Sequence, residues 1–177
     1  MKSARASGEN ELERLSDEDE RTLDEELAGD LITPDDDAYD DARQVWNGMI
    51  EKYPGAIARC TGTADVVAAV EFARDRDLLL AVRGGGHNVS GNATCDDGLV
   101  IDLSEMNGVH VDLRDQTVRA EGGATLGDVD RETQLHGLAA PLGVASPTGL
   151  AGLTLSGGMG HLRREYGLAC DQLRSAD

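Results

Sequence analysis

Residues 81–91 read Ala-Val-Arg-Gly-Gly-Gly-His-Asn-Val-Ser-Gly. The apolar run 78–82 leads straight into this stretch and reads as a buried strand. Three consecutive glycines permit positive φ and bring backbone N–H groups close to a ligand. Successive N–H groups in such a turn form a concave nest for an anion such as a pyrophosphate. Arg83 either adds charge to that nest or pairs with one of the many carboxylates. His87 closes the nest, where a ligand's ring system has room to lie. Taken alone, a Gly-Gly-Gly-His run equally describes a loop with a solvated histidine.

Outward from this loop the pattern is that of a small α/β unit. Residues 38–52 predict a helix that stops before Pro54. Residues 56–59 predict a short strand. Thr63 is placed to cap a helix carrying Val66, Val67, Val70 and Ala73 on one face. Beyond the loop, residues 99–103, 108–113 and 117–121 alternate as strands, and Arg114-Asp115-Gln116 suits a hairpin turn. Residues 125–135 predict a helix with Leu126, Val129 and Leu135 on one face, ended by Gly137. The stretch 142–160 is rich in Gly, Ser, Thr and Pro yet too apolar for a simple surface loop. A short helix is expected from Ser156 to Tyr166. No internal repeat is present.

A second glycine-rich segment lies in that stretch. It runs Ser146-Pro147-Thr148-Gly149-Leu150-Ala151-Gly152, followed by Ser156-Gly157-Gly158-Met159-Gly160-His161. Small residues mixed with apolar ones suit a backbone packed against a flat or extended cofactor. A pair of tight turns in the core is the other reading. Several common motifs are absent. There is no G-x-G-x-x-G and no G-x-x-x-x-G-K-[ST], and Ser156 lacks the glycine flank of a nucleophile elbow. His87, His110, His136 and His161 show no metal-ligand spacing, and no metal site is expected. His110 and His136 are most simply structural.

Composition narrows the partners. A net charge of −18 repels phosphate backbones and anionic lipid, so neither nucleic acid nor membrane is expected as a partner. Lysine occurs only as Lys2 and Lys52. An acidic, lysine-poor surface fits a salt-loving cell, where salt screens the repulsion; an acidic tail on an ordinary domain is the alternative. Residues 1–37 carry much of the acid and read as an N-terminal extension, with Leu12, Leu15, Leu23 and Leu27 as a thin apolar stripe on a helix. A mobile acidic tail is the competing reading for residues 1–10. Cys60, Cys95 and Cys170 are scattered, which argues against a disulfide framework and fits a cytoplasmic protein.

Together the glycine-rich segments resemble a known family. The run 81–91 is similar to the pyrophosphate loop of FAD-linked oxidases of the berberine bridge enzyme type. These are flavoproteins of the vanillyl-alcohol oxidase superfamily with a PCMH-type FAD-binding domain. Further matches follow in order at residues 98–104, 122–129, 136–139, 148–155 and 166–168. The resemblance covers roughly residues 30–174 and implies an α+β fold, with an N-terminal α/β subdomain and part of a second. By that resemblance residues 38–177 form the FAD-binding domain, incomplete at its C-terminus. His87 takes the place of the histidine that bonds the flavin 8α-methyl group, so the cofactor implied is covalently held FAD. Arg83, Gly84, Gly85, Gly86, Asn88 and Ser90 would surround the pyrophosphate and ribityl chain. Ser146, Pro147, Thr148, Gly149 and Gly152 would line the cofactor from the other side, and Gly157, Gly158, Gly160 and His161 would follow along it. Ser146 stands where some relatives carry a second, cysteine link, so a single link is expected.

The resemblance implies a flavin-dependent oxidoreductase passing hydride from a small-molecule substrate to flavin N5. No catalytic residue is assigned from the sequence. The family's chains are over twice as long, and the missing part would hold the substrate site. A separate chain carrying that part, or a non-catalytic remnant, are the alternatives for the molecule as a whole.

Overall fold

The computed structural model describes residues 15–176. Leu12 of the expected apolar stripe and the tail 1–10 lie outside them. Ser16 caps the first helix, α1 (Asp17–Glu26), its hydroxyl accepting from the Asp19 N–H at 3.2 Å. Four acids in the first turn suit the positive end of the helix dipole. Leu23 is fully buried and Leu15 nearly so. Within the acidic extension, α1 and the strand β1 (Asp30–Ile32) therefore belong to the folded unit. β1 pairs antiparallel with β2 (Ala56–Arg59).

The four-residue helix α2 (Tyr39–Ala42) lies between β1 and β2, and β2 leads into α3 (Thr63–Asp75). The chain then enters β3 (Leu80–Arg83) and, through the glycine-rich loop, β4 (Leu99–Asp102). The sheet order is β1-β2-β4-β3, with β2, β4 and β3 parallel. Side chains alternate across it with period two. Ala56, Ala58, Leu99 and Ile101 pack with Ala69, Phe72 and Ala73 of α3 and with Leu23. Ile57, Val100 and Ala81 face the other way, onto Ile32, Tyr39, Ala42 and Cys95. Both faces of the central strand β4 are covered, which is why all four of its residues are buried.

The second part begins with a hairpin of β5 (Val109–Asp112) and β6 (Thr117–Ala120). Gln116 takes φ 50° at its turn. Helix α4 (Leu126–Gln134) follows, capped by Thr125 in a reciprocal box with Asp128. Gly137 at φ 66° lets the chain turn away after it. α5 (Leu150–Leu155), α6 (Arg163–Tyr166) and a 3-10 turn (Ala169–Gln172) complete the order.

Several expectations are corrected. The helix over 38–52 is reduced to α2, because tertiary bonds hold the remainder. The Trp46 N–H donates to Gly86 O, Lys52 Nζ to the carbonyls of Gly91 and Thr94, and the Tyr53 N–H to Asp96. Gly62, not Thr63, caps α3. Val67 and Val70 of α3 are exposed, since the helix turns its small residues Ala69 and Ala73 to the sheet. β3 is an edge strand, not a fully buried one, and Leu79 and Val82 lie exposed. Leu135 caps the end of α4 and is exposed. The helix expected from Ser156 to Tyr166 is broken, because Gly157 and Gly158 adopt φ 106° and 78°, outside any right-handed helix.

Candidate cofactor-binding cleft

Strand register sets Arg59, Asp102 and Arg83 side by side at the carboxyl ends of β2, β4 and β3. In open α/β sheets ligands bind outside the carboxyl ends of the strands. Here a cleft of about 400 Å³ opens at that edge, bordered by Trp46, Gly84, Gly85, Gly86, Asp102 and Ser104 among others.

Its floor is a buried charge cluster. Arg83 donates from Nη2 to Asp102 Oδ2 at 2.8 Å and from Nε to Oδ1 at 3.3 Å. Arg59 Nε lies 3.5 Å from the same carboxylate. The Ser104 N–H and hydroxyl each donate to it at 3.1 Å. Burial pushes the Asp102 carboxyl up. The hydrogen bonds and charge of Arg83, joined by Ser104, outweigh burial and hold it below the usual carboxylate range. Arg83 also donates to the carbonyls of Ala42 and Gln44. Of the two readings of Arg83, the carboxylate pair is the one seen. Its guanidinium ties the 42–46 segment to the sheet. Two guanidiniums converge on the Asp102 carboxylate, Arg59 also lies 4.0 Å from Asp30, and Asp41 borders the same cleft, so the charges of the floor are closely matched.

Two glycines of the nest have distinct reasons. A Cβ on Gly85 would collide with the backbone of Gly149, and one on Gly149 with Gly85. Gly86 takes φ 67°. The two glycine-rich segments therefore meet at Gly85 and Gly149. The second is strapped along the start of α4: the Leu126 N–H donates to Thr148 O, Gly127 to Ser146 O, and Leu150 to Ala124 O, at 2.9, 2.9 and 2.8 Å. Among the described residues no acceptor takes the amide protons of Gly84, Gly85, Gly86 or His87. A backbone cradle with free donors fits an anionic, pyrophosphate-bearing group.

His87 lies half-buried at the end of the cradle. Its ring stacks on Trp46, with centroids 5.2 Å apart and planes at 19°. Trp46 is 64% exposed, and its backbone N–H donates to Gly86 O at 3.2 Å. Asn47 Nδ2 donates to Val89 O at 2.9 Å, fastening the next residues of the loop.

The other expected site residues are dispersed. Asn88 and Ser90 are exposed, and the Asn88 side chain accepts from the Asn92 N–H within its own loop. Ser146 and Pro147 are exposed, Thr148 half-buried, and Gly152 faces open space on α5. The carbonyls of Gly157 and Gly158 accept from the Cys170 and Ala169 N–H groups. Gly160 abuts the backbone of Leu142, and His161 is exposed. Gly157 and Gly158 are thus tied to the C-terminal turn, and Gly160 to residues 142–143. Trp46, Arg59, Asp102 and Ser104 escaped the sequence reading. Asp102 and Ser104 sit within the matched run 98–104, while Trp46 stands out as the single tryptophan.

Comparison with known proteins accords with this geometry. A family model described as an FAD-binding domain matches residues 54–177. The chain belongs to this FAD-binding family. It is 41% identical to (R)-6-hydroxynicotine oxidase of Paenarthrobacter nicotinovorans over 150 residues, 85% of this chain and 33% of that protein. An FAD-linked oxidoreductase of Dictyostelium discoideum is 45% identical over 128 residues, covering 72% of the chain and 28% of the relative. The crystal structure of 6-hydroxy-D-nicotine oxidase from Arthrobacter nicotinovorans superposes with a TM-score of 0.80 at 42% identity, covering 82% and 32% of the two chains. Berberine-bridge-enzyme-like protein 1 of Physcomitrella patens gives 0.79 at 26% identity over 85% and 33%. The chain is a PCMH-type FAD-binding domain of the berberine bridge enzyme-like oxidoreductases and spans about a third of the length of these relatives.

Proposed function

We propose that this chain holds FAD covalently through His87 and serves as the cofactor-bearing part of an oxidoreductase that moves hydride from a small molecule to the flavin. The observation that carries this reading is the placement of His87, half-buried, at the end of a cradle whose amides are unpartnered. The amides of Gly84, Gly85 and Gly86 would bind the pyrophosphate, and the Arg83–Asp102 pair would hold the cradle's strand in place beneath it. Bound flavin supplies an electrophilic 8α-carbon and a two-electron acceptor at N5. His87 offers a ring nitrogen as nucleophile. Were FAD bound, His87 would give up its ring N–H proton as its nitrogen replaced a hydrogen of the 8α-methyl group, a two-electron oxidation that would require an external oxidant such as dioxygen.

The test uses the purified chain supplied with FAD and then denatured in acid. Yellow absorbance should stay with the chain and be lost in His87→Ala. Flavin retained by that variant would reject His87 as the anchor. A second reading, in which a separate chain completes the FAD site, is favoured by Val144, Leu155 and Met159, exposed around the second glycine-rich segment. Flavin retained only after adding that chain would decide for it.

A further inference from the structure

We propose that Trp46 is a positioning residue for His87, its indole face fixing the plane of the imidazole so that a ring nitrogen points edge-on toward the flavin 8α-carbon. The proposal rests on the reading of His87 as the flavin anchor. An imidazole on a single Cβ turns about two bonds and presents its nitrogens in many directions. The new bond uses the lone pair in the ring plane, so a neighbour that covers one face restrains the ring without blocking the reacting edge. Trp46 has this relation to His87: the planes lie 19° apart at 5.2 Å. The two residues are also joined through the main chain, because the Trp46 backbone N–H donates to Gly86 O, one residue before the histidine. Packing does not account for the indole. It is the single tryptophan of a chain whose cores are built from Ala, Val, Leu and Ile around Phe72 and Tyr39. Yet 64% of it is exposed. Neighbouring bonds from Asn47 to Val89 and from Lys52 to Gly91 fasten the segment behind it.

The experiment compares the full chain with Trp46→Ala, Trp46→Phe and His87→Ala. Three quantities are read: FAD affinity from flavin fluorescence, the rate of acid-stable flavin incorporation at saturating FAD, and tryptophan emission of the flavin-free chain. That emission reports Trp46 alone and should change in His87→Ala before any flavin is added. Trp46→Ala should incorporate flavin about tenfold more slowly or worse while its affinity moves less than about threefold, and Trp46→Phe should recover most of the rate. Far-UV circular dichroism should stay unchanged, since the indole is largely exposed. Incorporation by Trp46→Ala at the original rate sinks the proposal. A loss confined to affinity would assign the indole to flavin binding instead, and failure of Trp46→Phe to recover the rate would remove stacking as the cause. If His87→Ala still links flavin, or the original chain never does, the anchor reading fails and this proposal falls with it.

Discussion

Asp102 concentrates the electrostatics of the cleft in one residue. Its side chain is nearly fully buried, answered by Arg83, Arg59 and Ser104. Asp65 plays a comparable part on the other face of the sheet, where its carboxylate accepts from the Ala28 and Thr61 N–H groups at 2.9 and 2.8 Å. Burial pushes both carboxyls up and the bonds outweigh it, so both ionise below the usual range. A carboxyl whose folded pKa is depressed stabilises the fold above its unfolded pKa, about 3.9. That stability is lost as pH falls through the lower folded value. Replacing Asp102 with Asn should cost about 3 kcal/mol near neutral pH, because it strands buried guanidinium charge. The gap between wild type and D102N in urea unfolding should then close as pH drops below about 4. A gap that stays constant with pH would show that the charge of Asp102 is not what holds the cluster. Arg83 teaches the same lesson in reverse. The sequence left it between phosphate and carboxylate, and strand register decided by setting Asp102 beside it.

Among the elements, α4 carries more than its own length. Thr125 accepts from the Asp128 N–H at 3.3 Å, and the Thr125 N–H donates back to the Asp128 carboxylate at 2.9 Å. The same turn bridges to Gly149 and so seats the second glycine-rich segment against the first. Thr125→Ala should lower stability by about 1 kcal/mol, the usual worth of an N-cap, and Thr125→Ser should keep most of it. Urea midpoints of the two variants check this; equal losses would mean the hydroxyl is not the cap. This helix was legible from sequence because its signals are local: Leu126 and Val129 on one face and a glycine at the end, to which the structure adds the cap. The segment 43–53 was not legible. The Trp46 and Tyr53 backbone N–H groups and Lys52 Nζ bond to residues 86–96, a choice no window of the sequence displays.

For the whole molecule the governing quantity is charge. Thirty-four acids against sixteen Lys and Arg leave −18 to be contained in one small fold. Self-repulsion opposes the compact state and is screened by salt. Raising salt from 0.1 to 1 M shortens the screening length from about 10 to about 3 Å. The same salt weakens surface pairs such as Arg76–Asp19, but each is worth at most about 1 kcal/mol. Repulsion among so many carboxylates should win, and the urea midpoint should rise with salt. A falling midpoint would show that the ion pairs outweigh the net charge.

The sequence by itself determined strands β2 to β6, the helix α4 and the family, because each depends on residue type at short spacing or on order along the chain. Tertiary structure decided that Gly85 and Gly149 touch, that Arg83 and Arg59 share Asp102, and that Trp46 stacks on His87. It also drew α1 and β1 out of the acidic extension into the folded unit. The physical reason is common to all four. Each contact joins segments distant in the chain, and the partner is chosen by sheet register and packing rather than by neighbours in sequence.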